Sequence, residues 1–145
     1  MKIIVLVGLP GSGKSTWLEQ QGAGGLSSDA IRKLLADDED DQSVNARVFE
    51  TLRYLLRQRL AIGREVTYID ATNLTRSERA GYIRMGEEFA CEVEAVFFDT
   101  PLALCRERNG SRHRVVPDEK LQAVAAKLRA PSVEEGFTRV TVVRA

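Results

Sequence analysis

The segment Gly8-Leu9-Pro10-Gly11-Ser12-Gly13-Lys14-Ser15 meets the pattern G-x-x-x-x-G-K-[ST] at every position. Glycines at this spacing let successive backbone N–H groups turn inward as an anion-binding nest, and a helix beginning at the lysine adds its positive end. Lys14 then reaches the outer phosphates of a nucleoside triphosphate, and the Ser15 hydroxyl ligates Mg²⁺. The expected donor is ATP or another nucleoside triphosphate, its phosphates surrounded by Gly8, Gly11, Ser12, Gly13, Lys14, Ser15 and Thr16. The rival dinucleotide fingerprint needs Gly or Ala where Thr16 stands, and it fails.

Three further constellations bear on the acceptor. In Ser27-Ser28-Asp29-Ala30-Ile31-Arg32, Asp29 is expected at the end of a strand, across a cleft from the loop. A carboxylate there can take the proton of an attacking hydroxyl, and Arg32, one helical step on, can hold a neighbouring anion of the acceptor. The other reading of this segment is a helix-capping Asp with a solvated Arg. In Tyr68-Ile69-Asp70-Ala71-Thr72-Asn73, Asp70 ends an apolar strand, where a carboxylate helps organise Mg²⁺ through water or the Ser15 hydroxyl. Its alternative is a strand-end turn in which Asp and Asn support their own backbone; Thr72 and Asn73 rank behind Asp70. Arg106, Arg108, Arg112 and Arg114 put four arginines in nine positions beyond a short helix. Phosphoryl transfer consists mostly of positioning and charge neutralisation, so such a lid closing over phosphates suits it. A solvated basic loop is the alternative, and His113 reads as a solvent-facing loop residue.

The bulk properties narrow the classes. A length of 145 residues reads as one domain, residues 1–145, with 43% hydrophobic and 29% charged residues as in ordinary globular proteins. With 21 basic and 21 acidic residues there is no global attraction to nucleic acid, so a polynucleotide would need a local patch. Cys91 and Cys105 lack metal-ligand spacing and read as reduced thiols of a cytoplasmic protein, and a lone His113 argues against a His-based metal site. The apolar run Ile3 to Leu9 is not read as a signal peptide, because the phosphate loop starts inside it. No stretch is long enough to span a membrane. A guanine-reading Asn-Lys-x-Asp is absent, Asn73-Leu74-Thr75-Arg76 standing instead, and a motor or AAA-type ATPase usually needs more chain. The acidic run Asp37 to Asp41 reads as a solvated, mobile loop that would point away from any nucleic acid. Trp17 reads as packed, and Arg47, Arg53, Arg57 and Arg59 as the solvated face of a helix.

The elements that must position these residues follow from periodicity. Lys2 to Val7 is a strand buried on both faces, followed by a helix from Lys14 to about Gln20 and a break at Gly22 to Gly25. Leu26-Ser27-Ser28 is a short second strand. Val44, Val48, Leu52, Leu55, Leu56 and Leu60 recur at helical spacing, and Gly63 ends that helix. Val66 to Ile69 is the third strand. Thr75-Arg76-Ser77-Glu78 is expected to form a reciprocal capping box opening a helix to about Ala90. Val93 to Phe98 is the fourth strand, Thr100-Pro101 starts a short helix with Pro at its first position, a last helix covers Asp118 to Arg129, and Arg139 to Val143 is the fifth strand. Strands alternating with helices predict an α/β, three-layer fold with a five-stranded parallel sheet and functional groups at the strands' carboxyl ends.

Taken in order, the GSGKST loop, Ser-Ser-Asp-x-x-Arg, the acidic stretch leading to Gln42-Ser43-Val44, Asp-Ala-Thr-Asn, Cys105-Arg106-Glu107-Arg108-Asn109 with its later arginines, and Glu135-Gly136-Phe137 cover nearly the whole chain. This set resembles the kinase domain of the bacterial polynucleotide kinase-phosphatases of RNA end healing and, more distantly, phage polynucleotide kinase. The resemblance implies a P-loop NTPase sheet of order 2-3-1-4-5 with a small arginine-bearing lid. It implies transfer of the γ-phosphate to a 5′-hydroxyl end of RNA or DNA, with Lys14 and Ser15 on the donor and Asp29 as general base. Arg32 would bind the phosphate next to the reacting nucleoside, and Arg112 and Arg114 would be lid arginines, with Arg108 a third. The lid is one residue shorter than the family's usual spacing, which bears on Arg114. Ser28 and Ile31 replace an Arg and a Tyr of the phage form, so the acceptor surface departs more than the transfer machinery. No phosphatase or ligase module is expected in this chain, and the protein partners are left open, separate phosphatase or ligase proteins being the candidates. The alternative is a small-molecule kinase on the same scaffold, acting on a metabolite, nucleoside or antibiotic hydroxyl; a nucleotide-dependent interaction module is a third reading.

Overall fold

The computed structural model describes residues 1–111 and 115–144. Five strands, β1 (Lys2–Val7), β2 (Leu26–Ser27), β3 (Val66–Asp70), β4 (Glu92–Asp99) and β5 (Arg139–Arg144), form one parallel sheet of order β2-β3-β1-β4-β5. Six α-helices connect them: α1 (Lys14–Gln20), α2 (Ser28–Ala36), α3 (Asn45–Ala61), α4 (Arg76–Glu88), α5 (Leu102–Gly110) and α6 (Asp118–Lys127). The expected sheet and its order are both present.

The alternation of side chains along a strand divides the core in two. Ile3, Val5 and Val7 of β1 pack with Val48, Leu52, Leu56 and Leu60 of α3 and with Tyr82, Ile83 and Met85 of α4. Leu6 faces the other way, onto Leu18 of α1 and Val96 and Phe98 of β4. Val48, Leu52 and Leu56 are fully buried; burial of each such side chain is worth about 1.5–3 kcal/mol. A third cluster, Leu9, Leu74 and Cys105 with Val124 and Leu128, joins α5 and α6 to the sheet's carboxyl edge. Trp17 is packed edge-on against Tyr68 and Phe98, as expected.

Several local expectations are corrected. The second strand ends at Ser27, whose hydroxyl accepts the Ala30 N–H at 3.1 Å, so Ser27 caps α2 and Asp29 lies inside its first turn. The Thr75 capping box is half formed: Thr75 Oγ1 accepts the Glu78 N–H, but Glu78 Oε2 accepts from Leu74 N–H instead of Thr75. Pro101 sits at the N-cap of α5 rather than inside it, and α5 is longer than expected, so Arg106 and Arg108 belong to the helix itself. The acidic run is tied into turns, with Asp38 accepting from Asp40 N–H and Asp41 from Ser43 N–H, and Glu39 lines the cleft rather than pointing away.

Candidate nucleotide and acceptor cleft

The phosphate loop connects β1 to α1 at the carboxyl end of the sheet. Gly11 and Gly13 have φ of 80° and 106°, the left-handed conformation that aims consecutive N–H groups inward and that only glycine adopts without strain. Gly8 serves by its size. A Cβ there would stand 2.6 Å from Ser12 Oγ and 3.0 Å from Phe98 Cβ. Thr100 Oγ1, at the end of β4, donates to Ser12 O at 2.9 Å and fixes the loop from behind. Lys14 Nζ donates to Gly8 O at 2.7 Å and Leu9 O at 2.8 Å, which keeps its charge at the loop's mouth. Arg108 reaches in from α5, its Nη1 3.4 Å from Gly11 O and 3.5 Å from where a Cβ on Gly13 would be.

A cleft of about 1540 Å³ runs from this loop past Asp29 and Asp70 to α3 and α4. Ser27 pairs with Asp70 in the β2–β3 register, two residues before Asp29, and β3 lies beside β1, which leads into the loop. Burial raises the Asp70 carboxyl above its ordinary value; Lys14 counters this and the Asp29 charge adds to it. Asp29 Oδ1 accepts from Arg32 Nη1 at 2.8 Å. The other reading of this segment, a capping Asp beside a solvated Arg, fails on both counts, because the Arg32 side chain is only 5% exposed and Ser27 is the cap. Arg32 Nε and Nη2 donate to Asn45 Oδ1 at 3.1 and 2.8 Å, Nη1 also approaches Glu39 O at 3.4 Å, and Asn45 Nδ2 donates to Gln42 Oε1 at 2.9 Å. Of the five N–H donors of a guanidinium, one on Nη2 is left for an incoming anion.

The donor set fits a magnesium nucleotide. Among the described residues no cluster of three or more His, Cys, Asp or Glu could cage a metal. Mg²⁺ is ordinarily held by one or two carboxylates plus substrate phosphates, and the exposed Ser15 hydroxyl and the Asp70 carboxylate line the same cleft. Arg112, Arg114 and His113 lie outside the described residues. Asn109 Nδ2 donates to Val116 O at 2.6 Å and its Oδ1 accepts the Val116 N–H at 2.9 Å, which ties the end of α5 to the chain before α6.

Sequence reasoning missed three residues that hold the site, Asn45, Asn109 and Arg79, and ranked a fourth, Asn73, behind Asp70. Asn45 and Asn109 carry no sequence signal of their own. Asn73, at φ 47°, uses its amide as a tie, Nδ2 donating to Leu6 O at 2.7 Å, which joins the ends of β1 and β3. Arg79 is fully buried, with Nε and Nη2 on the two Glu135 oxygens at 2.9 and 3.0 Å and Nη1 on Asn73 O and Arg129 O, both at 2.9 Å. A signal for it existed. Arg79, Tyr82, Ile83 and Gly86 follow helical spacing, and a charge on a buried stripe requires a partner. The four helix arginines also divide: Arg57 pairs with Glu88 at 2.7 Å, Arg59 donates to Thr67 Oγ1 and Val66 O, Arg47 is exposed, and Arg53 lines the cleft.

The chain is 28% identical over 149 residues to a bifunctional polynucleotide phosphatase/kinase of Schizosaccharomyces pombe, covering 98% of this chain but only 33% of that protein. Among solved structures, it is similar to a sugar kinase from a Janibacter species, with a TM-score of 0.70 and 22% identity over 99% of this chain and 85% of that one. It is also similar to the Mycobacterium tuberculosis APS kinase CysC solved with AMPPNP and APS, with a TM-score of 0.64 and 21% identity over 97% and 87% of the two chains. At these identities the structural likeness establishes a P-loop kinase fold. Short length does not keep the chain out of a group described by the AAA name. Residues 3–131 match the model of the AAA domain family AAA_33, and the chain belongs to that family.

Proposed function

We propose that residues 1–145 act as one kinase domain that transfers the γ-phosphate of ATP, or another nucleoside triphosphate, to the 5′-hydroxyl end of RNA or DNA. The observation that carries this reading is the Asp29–Arg32 pair at 2.8 Å, held by Asn45 and facing the phosphate loop across one cleft. A base and an anion binder fixed as one unit suit an acceptor whose hydroxyl lies next to a phosphate. The similarity to a polynucleotide phosphatase/kinase over 98% of the chain supports the same acceptor.

In this reading the loop amides and Lys14 bind the β- and γ-phosphates, Arg108 and the lid arginines Arg112 and Arg114 neutralise the transferring and leaving groups, and Ser15 with Asp70 would hold Mg²⁺. When bound there, Mg²⁺ would supply positive charge against the charge that develops on the transferring phosphate. Asp29 takes the proton of the 5′-hydroxyl as its oxygen bonds to the γ-phosphorus and the bond to the leaving diphosphate breaks in line. Arg32 orients the acceptor through its first phosphate. Free Cys91 and Cys105, whose thiols are pushed up by burial, suit a reducing cytoplasm.

A second reading, a small-molecule kinase, is favoured by Glu39 and Glu78 lining the cleft, since carboxylates repel a polyanion. Competition separates the two. Single-stranded 5′-hydroxyl oligonucleotides are expected to inhibit transfer to any sugar, sugar acid or nucleoside that the protein accepts. Efficient transfer to such a molecule, unaffected by oligonucleotides, would decide for the second reading.

A further inference from the structure

Beyond Arg32 the cleft continues between α3 and α4. Asn45, Phe49 and Arg53 recur every fourth residue on one face of α3, and all three line it. Eight residues separate Asn45 from Arg53, about 12 Å along a helix, so a group at Arg53 lies beyond the position that Arg32 serves. From α4, Arg84 approaches the same point. A methyl group built on Gly81 would stand 3.8 Å from Arg84 Nη2 and 3.9 Å from Arg53 Cδ. Both arginines are exposed, and among the described residues neither makes an ion pair. The nearby Glu78 carboxylate accepts the Leu74 N–H at 2.9 Å, and the neighbouring Tyr82 hydroxyl, pushed up to about 12 by burial, stays neutral and brings no negative charge.

We propose that Arg53 and Arg84 form a second anion subsite, which takes the next phosphodiester of a single-stranded acceptor, with Phe49 between it and Arg32 as the surface for a base. The inference rests on the polynucleotide reading and deepens it. It places in one local patch the positive charge that the neutral chain as a whole lacks. It also separates Arg53 from Arg47, Arg57 and Arg59, which sit on the same helix and do not line the cleft.

The test compares kcat/KM on a nucleoside 3′-monophosphate and on a longer single-stranded oligonucleotide, both with a 5′-hydroxyl. Wild type, Arg53→Gln, Arg84→Gln, the double variant and an Arg47→Ala control would be measured, with melting curves to check folding. Wild type should prefer the oligonucleotide, and each Gln variant should lower that preference by about tenfold, as expected for hydrogen bonds to a charged group. The double variant should also reduce the slope of log affinity against log salt by about 0.7, the value for one phosphate contact on a single strand. Arg47→Ala, which removes the same charge outside the cleft, should behave as wild type. An unchanged length preference and salt slope in the double variant would overturn the subsite alone. No transfer by wild type to either acceptor would overturn the polynucleotide kinase reading, and the subsite with it.

Discussion

Asp29→Asn is expected to slow phosphoryl transfer by about 10²–10⁴-fold, the usual contribution of a positioned general base, with ATP binding retained. Asparagine keeps a carbonyl oxygen where Asp29 Oδ1 now accepts from Arg32 Nη1, so the contact at 2.8 Å can persist while the proton acceptor is lost. Because Asp29 lies opposite the loop rather than on it, the groups that hold the nucleotide are untouched. One secondary effect distinguishes loss of a base from loss of structure. The Asp29 charge is among the causes that raise the Asp70 carboxyl, so the variant's Asp70 should ionise at lower pH than in wild type. Single-turnover transfer rates measured beside nucleotide titrations provide the check. A variant that transfers at the wild-type rate would remove Asp29 from the chemistry.

Arg79→Ala is expected to destabilise the protein by about 3–5 kcal/mol, since it strands a buried carboxylate. The Arg79 and Glu135 side chains are 1% and 3% exposed, and the pair is bidentate. Arg79 also serves two backbone carbonyls, Asn73 O and Arg129 O, which join the turn after β3 to the chain after α6. Replacing both partners by apolar residues should therefore recover only part of the loss, because those carbonyls stay unpaired. Burial alone would raise the Glu135 carboxyl, but the Arg79 hydrogen bonds and the Ser132 N–H hold it below its ordinary value of 4.5. A depressed folded pKa means that Glu135 contributes stability above pH 4.5, lost as pH falls through the lower folded value. Urea denaturation of wild type and Glu135→Gln across that window should show a weaker acid dependence in the variant. A loss below about 1 kcal/mol for Arg79→Ala would place the pair in the class of surface ion pairs.

The alternation of strands and helices and the phosphate loop were legible because each is written in local terms: apolar strand runs, a glycine spacing, a helix start; the strand order came only with the family resemblance. Asp29 and Asp70 were legible as strand-end carboxylates. The state of Arg32 was not, because its burial depends on Asn45, thirteen residues away on another helix. Arg79 escaped for a similar reason. Its acid, Glu135, is 56 positions distant and becomes a neighbour only when α4 packs on the sheet. The division among Arg47, Arg53, Arg57 and Arg59 depends on what faces each turn of α3, such as Glu88 for Arg57 and the cleft for Arg53. The length of α5 was misjudged because Gly110 is tolerated at its end, whereas Pro101 marks its start.

Transfer to a 5′-hydroxyl end can be read by incubating the protein with γ-labelled ATP, Mg²⁺ and single-stranded RNA or DNA that carries either a 5′-hydroxyl or a 5′-phosphate. Label is expected at the 5′ end of the hydroxyl strands, none on the phosphate strands, and the signal should be lost in Asp29→Asn. No label on any 5′-hydroxyl strand, with ATP bound, would contradict the proposed transfer.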